Sequence, residues 1–206
     1  ARLGARVTGL DFSPSALAVA RRLAADSELD ITYVEAEVHD AVEVLGAAQF
    51  DLVFTGIGAL CWLPDVSRWA EVVSGLLRPG GRLFIREGHP LLWAIGDPRP
   101  DQLVALEFPY FQIESGTTFH ETSSYVDHEG EVASPVTIQW NHGLGEIVTA
   151  VIAAGLDLVS LEEHQTAPWN GVGAAMVEQP DGEFQLRDRP ERLAATYTLQ
   201  AVKRAG

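Results

Sequence analysis

The apolar positions of this chain change period several times, and each change marks an element. "ARVTGL" (residues 5–10) is a short apolar strand, and Gly4 before it reads as the stop of a preceding helix. Ser13 is set to cap a helix with Pro14 at its first position; Leu17, Ala20 and Ala24 then recur at helical spacing, while Arg21 and Arg22 fall on the wet side. "ITYVEAEV" (31–38) reads as a second strand. "FDLVFTGI" (50–57) reads as a third, a continuous apolar run of the kind buried on both faces of a parallel sheet. Asp65 or Ser67 opens a helix whose stripe is Trp69, Val72, Val73 and Leu76, and Pro79, Gly80 and Gly81 stop it before a fourth strand, "RLFIRE" (82–87). Strands alternating with helices predict right-handed crossovers and a mostly parallel, Rossmann-like α/β sheet with helices on both faces.

Residues 88–142 break this rhythm. Prolines cluster between Pro90 and Pro109, and aromatics recur at Trp93, Phe108, Tyr110, Phe111, Phe119, Tyr125 and Trp140. "ETSSYVDHEGEVASPVTIQW" (121–140) reads as a β-hairpin turning near Glu129 and Gly130. A structureless loop of this length does not suit a compact domain, so 88–142 is expected to form a cap inserted over the sheet. The α/β pattern then returns. Leu144, Ile147, Val148 and Val151 make a helical stripe that Gly155 terminates, and "LDLVSLEEH" (156–164) and "ATYTLQAVK" (195–203) are two closing strands joined by a polar, proline-containing stretch. The expectation is a single domain over residues 1–206.

Composition narrows the partners. A chain of 206 residues suffices for one well-buried core. Its net charge of -15 disfavours nucleic acid and anionic membrane surfaces, both of which are bound through Lys and Arg. No run is long and apolar enough to span a bilayer, and there is no secretory signal. The single cysteine, Cys61, excludes an intramolecular disulfide and fits a reducing, cytoplasmic setting. No His, Cys, Asp or Glu set has metal-ligand spacing, so no metal is expected.

Candidate chemistry begins at Asp11, the acid that ends the first strand. In open parallel sheets ligands bind beyond the carboxyl ends of the strands, and an acid there can accept both hydroxyls of a ribose. Asp11 can equally cap the helix that starts at Ser13 or Pro14, and position alone leaves both open. Glu37 lies at the end of the second strand, where its carboxylate could take an adenine amino group while the Val38 N–H serves a ring nitrogen. The glycine-rich end of "FDLVFTGIGALCWLPD" (50–65) allows backbone to approach a ligand closely, or simply makes a tight turn.

Together "VTGLDFSPSALAVARRLA", "FDLVFTGIGALCWLPD", "LLRPGGRLFIREGHP" and "GLGEIVTAVIAAGLDLVSLEEH" resemble the class I S-adenosylmethionine-dependent methyltransferases, and within them bacterial members acting on small molecules. The resemblance implies S-adenosyl-L-methionine as cofactor, Asp11 on its ribose, and Phe12 beside its adenine. It implies Glu37 and Val38 on the adenine edge, and Thr55, Gly56 and Ile57 along the methionine side. It also implies that the last strand is antiparallel and inserted in the sheet. The family's first strand and glycine-rich loop have no counterpart ahead of Asp11. The expectation is therefore a longer natural protein, or a homodimer that repairs the gap by strand exchange.

Methyl transfer rests on positioning, and a base is needed only when the acceptor must lose a proton. His89 is the candidate base, with Glu87 second; a structural His before Pro90 and an acid lining the strand end are the plain alternatives. Trp62, Tyr110, His120 and His142 are candidates for touching a small-molecule methyl acceptor, which the aromatic cap suggests is apolar or aromatic. The competing functions are a nicotinamide-dependent oxidoreductase, since dinucleotide folds use the same strand-end acid, and a non-catalytic methyltransferase-like binding protein.

Overall fold

The computed structural model describes residues 1–96, 99–101, 103–120 and 135–205. The N-terminal part runs β1 (Val7–Asp11), α1 (Pro14–Asp26), β2 (Ile31–Glu35), α2 (Ala41–Leu45), β3 (Phe50–Thr55), α3 (Val66–Leu76) and β4 (Leu77–Gly88). The described part of residues 88–142 holds α4 (Pro90–Trp93), β5 (Thr117–His120) and β6 (Val136–Gln139). The chain finishes with α5 (Leu144–Ala153), β7 (Leu156–His164), β8 (Thr166–Ala167), β9 (Met176–Glu178), β10 (Phe184–Leu186) and β11 (Thr196–Lys203).

The local signals act where the sequence puts them. Ser13 caps α1, its Oγ accepting from the Ala16 N–H at 3.2 Å, and Asp65 caps α3, its Oδ1 accepting from the Arg68 N–H at 3.0 Å. The α3 stripe of Trp69, Val72, Val73 and Leu76 is buried throughout. At the other end of α3, Lys203 Nζ donates to the carbonyls of Ser74 (2.6 Å) and Leu77 (2.8 Å), satisfying acceptors the helix leaves open.

The central sheet has the order β3-β4-β11-β7. β3 and β4 are parallel, while β11 is antiparallel to both its neighbours, so the last strand is inserted in reverse between β4 and β7. On one face α3 and α5 pack Trp69, Val73, Ile147 and Val151 against Leu83, Ile85, Tyr197 and Leu199 to make the main core. Helical cover was expected on both faces. The opposite face of this sheet is instead open at Leu52 (52% exposed) and Phe54 (64%), where Phe54 stacks on Phe84.

β1 and β2 form a separate parallel pair, in register from Val7 and Ile31 to Asp11 and Glu35. The pair is joined to the rest by packing rather than by a ladder: Leu10 lies in a cluster with Val42, Leu45, Phe50 and Val53. Among the described residues, the outer edges of β1 and β3 have no strand partner.

Three local expectations are corrected. "RPGG" stops α3 as expected, but β4 starts at Leu77 and carries these residues as an irregularity, the register stepping from Phe50 and Leu77 to Leu52 and Arg82. Gly80 adopts φ +78°, and a Cβ on Gly81 would sit 2.9 Å from the Phe50 carbonyl oxygen, so glycine is required at both. The hairpin pairs Thr117–His120 with Val136–Gln139, so its first strand lies before residue 121; the turn expected near Glu129 and Gly130 lies outside the described residues. Finally, the connection after β7 is not merely polar loop. β8, β10 and β9 form a small sheet over a second core of Leu92, Ile95, Val172, Met176, Leu186 and Leu193.

Candidate active site

The first group of candidates gathers at the carboxyl ends of β1 and β2. Asp11 is the last residue of β1, opposite Glu35, and is exposed. Its Oδ1 accepts from the Ser13 N–H at 2.7 Å, which fixes the turn into α1, while Ser13 itself is the helix cap. Its second oxygen has no protein partner among the described residues. Phe12 is 71% exposed, an aromatic ring left in solvent beside a carboxylate already held by its own turn. Glu37 is exposed at the start of a 3₁₀ turn (Val38–Asp40), and the Val38 side chain packs against the main core, which anchors its backbone.

The second group lies where β3 ends. Thr55 closes the strand, and Gly56 and Ile57 lead into a loop that reaches a 3₁₀ turn at Leu60–Trp62. This loop is held by Glu87. One carboxylate oxygen accepts from Gly58 (2.6 Å) and Gly88 (2.7 Å), the other from Ala59 (3.0 Å) and Leu60 (3.2 Å). Four N–H donors use the accepting positions of both oxygens, so Glu87 organises backbone and has no lone pair to offer a substrate proton. Burial raises its pKa above the ordinary carboxylate range, and the four N–H bonds oppose that rise without cancelling it. Next to it in register is Tyr197, whose buried hydroxyl lacks a hydrogen-bond partner among the described residues. Its pKa is raised by burial and then by the Glu87 charge.

His89 is buried and caps the short helix α4, its Nδ1 accepting from the Leu91 N–H at 3.0 Å. That fixes the proton on Nε2, which sits 2.9 Å from Glu163 Oε1 but out of line for a hydrogen bond. Burial lowers its pKa, with Glu163 pulling the other way. His142 is buried too: Nε2 donates to the Leu63 carbonyl at 2.7 Å and Nδ1 lies 3.1 Å from Glu146 Oε1. With the Trp140 N–H donated to the Cys61 carbonyl at 2.8 Å, His142 ties the segment before α5 to the 3₁₀ turn. His142 has both nitrogens engaged in holding the fold, and His89 has its Nδ1 so engaged.

Two adjoining spaces share Cys61, Trp93, Trp140 and Asn141 in their linings. The narrower, bordered by Glu87, Leu60 and His142, is about 10 Å³, the least that admits one water. The wider, about 140 Å³, is walled by Trp93, Phe108, Phe119, Trp140 and Trp169. Of the four residues expected to touch an acceptor, only His142 borders either space, and only the narrow one. His120 is exposed on β5, Trp62 is 51% exposed, and Tyr110 packs on Phe111 with its hydroxyl accepting from the Leu144 N–H at 3.4 Å. Sequence reasoning noted the cap aromatics as a class. It did not pick Trp169, because the stretch that carries it read as a connection.

These features define an open α/β domain with an inserted reversed strand and a rim of carboxylate, aromatic and glycine-rich groups at its strand ends. Residues 1–83 match the family model described as "Methyltransferase domain". The same part aligns at 38% identity over 86 residues with the ubiquinone biosynthesis O-methyltransferase of Xanthomonas axonopodis pv. citri, covering 41% of this chain and 35% of that protein. An S-adenosylmethionine-dependent methyltransferase structure from Mesorhizobium loti superposes with a TM-score of 0.63 at 22% identity, over 96% of this chain and 80% of that one. Another, from Clostridium acetobutylicum, gives 0.60 at 10% identity, over 98% and 76%. Residues 1–83 therefore carry a methyltransferase domain match, and the chain as a whole shares its fold with S-adenosylmethionine-dependent methyltransferase structures. It spans about a third of the length of the curated relatives it matches.

Proposed function

We propose that the intact protein transfers a methyl group from S-adenosyl-L-methionine to a small molecule. The observation that carries this reading is the pairing of Asp11 and Phe12. A carboxylate braced by the Ser13 N–H keeps one oxygen available, and an exposed ring stands beside it. A nucleoside accounts for both, with its ribose hydroxyls on the free oxygen and its base on the ring. Glu37 and the Val38 N–H would serve the adenine edge, and Thr55, Gly56 and Ile57 the methionine side. When bound, the cofactor supplies an electrophilic methyl on a sulfonium. The chain's own share is to hold and orient the two reactants and to exclude water. Calorimetry with S-adenosylhomocysteine tests this. Asp11→Asn keeps an oxygen for the Ser13 N–H but removes the charge, and should weaken binding about ten- to a hundred-fold through loss of charge-assisted hydrogen bonds. Equal affinity for both proteins would remove Asp11 from the site.

The same reading extends to the sheet. The unpartnered edges of β1 and β3 flank the rim, and we infer that the intact protein fills them with a further strand, or a second copy does so. Amide exchange at Phe50–Thr55 tests this. A bacterial cytoplasmic setting is supported by the bacterial relatives and the single cysteine.

A further inference from the structure

The wider space lies where a methyl acceptor would have to wait, and its walls have a definite chemistry. Its lining includes Cys61, in the 3₁₀ turn of the loop that leaves β3, and Trp93, in the short helix after β4. We propose that it holds one neutral aromatic ring of the acceptor, a conclusion that rests on the methyltransferase reading. Among the described residues no charged side chain lines it.

Size sets the first limit. An apolar cavity of about 150 Å³ takes one benzene. At about 140 Å³ this space admits a single six-membered ring and not two fused ones.

Shape sets the second. Trp93 and Trp169 are stacked at 5.4 Å with an interplanar angle of 18°, so each covers the other's inner face and the pair offers the space an outer ring face or ring edges. Phe108 and Phe119 meet at 5.1 Å and 55°, presenting both face and edge. Offset-stacked and edge-on contacts favour a flat π-system over a saturated ring of equal volume. A cation would also suit aromatic walls, but the lining offers no carboxylate to offset its desolvation.

Polar groups set the third. The Asn141 Nδ2 donates to both the Pro90 and the Pro109 carbonyls at 2.9 Å, which fixes the amide orientation and uses both its hydrogens. Trp140 Nε1 donates to the Glu114 carbonyl. What remains along the lining is acceptor capacity on Asn141 and both donor and acceptor capacity on Thr117 and Gln139, which face each other across the hairpin. A ring bearing one neutral donor, such as a hydroxyl, matches that.

The test titrates the full chain with phenol, cyclohexanol, 1-naphthol and tetramethylammonium, and separately with S-adenosylhomocysteine. Phenol should bind with a dissociation constant on the order of 1 mM, and cyclohexanol and tetramethylammonium about tenfold more weakly or worse. 1-Naphthol should bind no tighter than phenol. Thr117→Phe, which fills the space, should abolish phenol binding while leaving S-adenosylhomocysteine affinity and the melting curve unchanged. Phe119→Leu, a milder change, should weaken phenol without filling anything. The proposal is overturned if cyclohexanol or tetramethylammonium matches phenol, if phenol fails to bind, or if both variants keep wild-type phenol affinity. Phenol binding without S-adenosylhomocysteine binding would uphold the ring pocket and overturn methyl transfer instead.

Discussion

Replacing Glu87 by Gln exchanges one heavy atom and should undo the loop that follows β3. In the wild type each carboxylate oxygen accepts two backbone N–H groups, from Gly58 and Gly88 on one side and from Ala59 and Leu60 on the other. Glutamine keeps one oxygen and turns an NH₂ toward the other pair, so at least two bonds to a charged acceptor are lost. Bonds of that kind are worth about 1.5–3 kcal/mol each, which puts the loss near 3–5 kcal/mol after some relaxation. For a domain of this size that is a fall in melting temperature of roughly 6–20 °C. The same substitution removes a proton-binding site. Burial raises the folded pKa of Glu87 above its ordinary value of 4.5, so the folded state binds the proton more tightly than the unfolded one. Its contribution is therefore full below the unfolded value and is lost as pH rises through the raised folded value. Wild-type stability should decline with pH over that window, and Glu87→Gln should flatten the decline. Calorimetric melting of both proteins across that window reads both effects. A shift below about 2 °C, or parallel pH profiles, would refute the claim that this carboxylate organises the loop.

Two further outcomes are open to measurement. His89 has its pKa lowered from 6.5 by burial, so the stability it supports is full above that value and is lost as pH falls through the folded pKa. His89→Asn keeps a helix-capping side chain without a titrating ring, and urea midpoints between about pH 5 and 7.5 should then lose part of their acid slope; an unchanged slope would exclude His89 as its source. In the intact natural protein, the β3 amides that point away from β4 should exchange as slowly as those inside β4. Rapid exchange there would mean that nothing fills the edge.

How much of this was legible depended on how far each cause lies from its effect along the chain. Ser13, Pro14 and Asp65 act within one helical turn, and the caps they make were readable because no distant group competes for them. The apolar stripes of α3 and α5 were readable for a related reason: a helix that buries one face must repeat along it, whatever covers that face. The β8-β10-β9 sheet was not readable. Its strands are only two or three residues long, too short to show a period, and they pair by tertiary packing over Leu92 and Met176.

The site divides along the same line, and Asp11 shows how. Position offered a helix cap or a ribose anchor as alternatives, but the two are not exclusive for a group with two oxygens. The turn takes Oδ1, and the cap role belongs to Ser13. Sequence spacing sees residues, whereas hydrogen bonding allots single lone pairs, so an acid can serve its own turn and still face a ligand. Glu87 is the opposite case. It looked like a base because it ends a strand beside the site, yet three of its four partners lie nearly thirty residues upstream, and with Gly88 they use all its accepting positions. A free oxygen at Asp11 and none at Glu87 is what leaves the first able to take a ligand and makes the second a brace for the loop after β3.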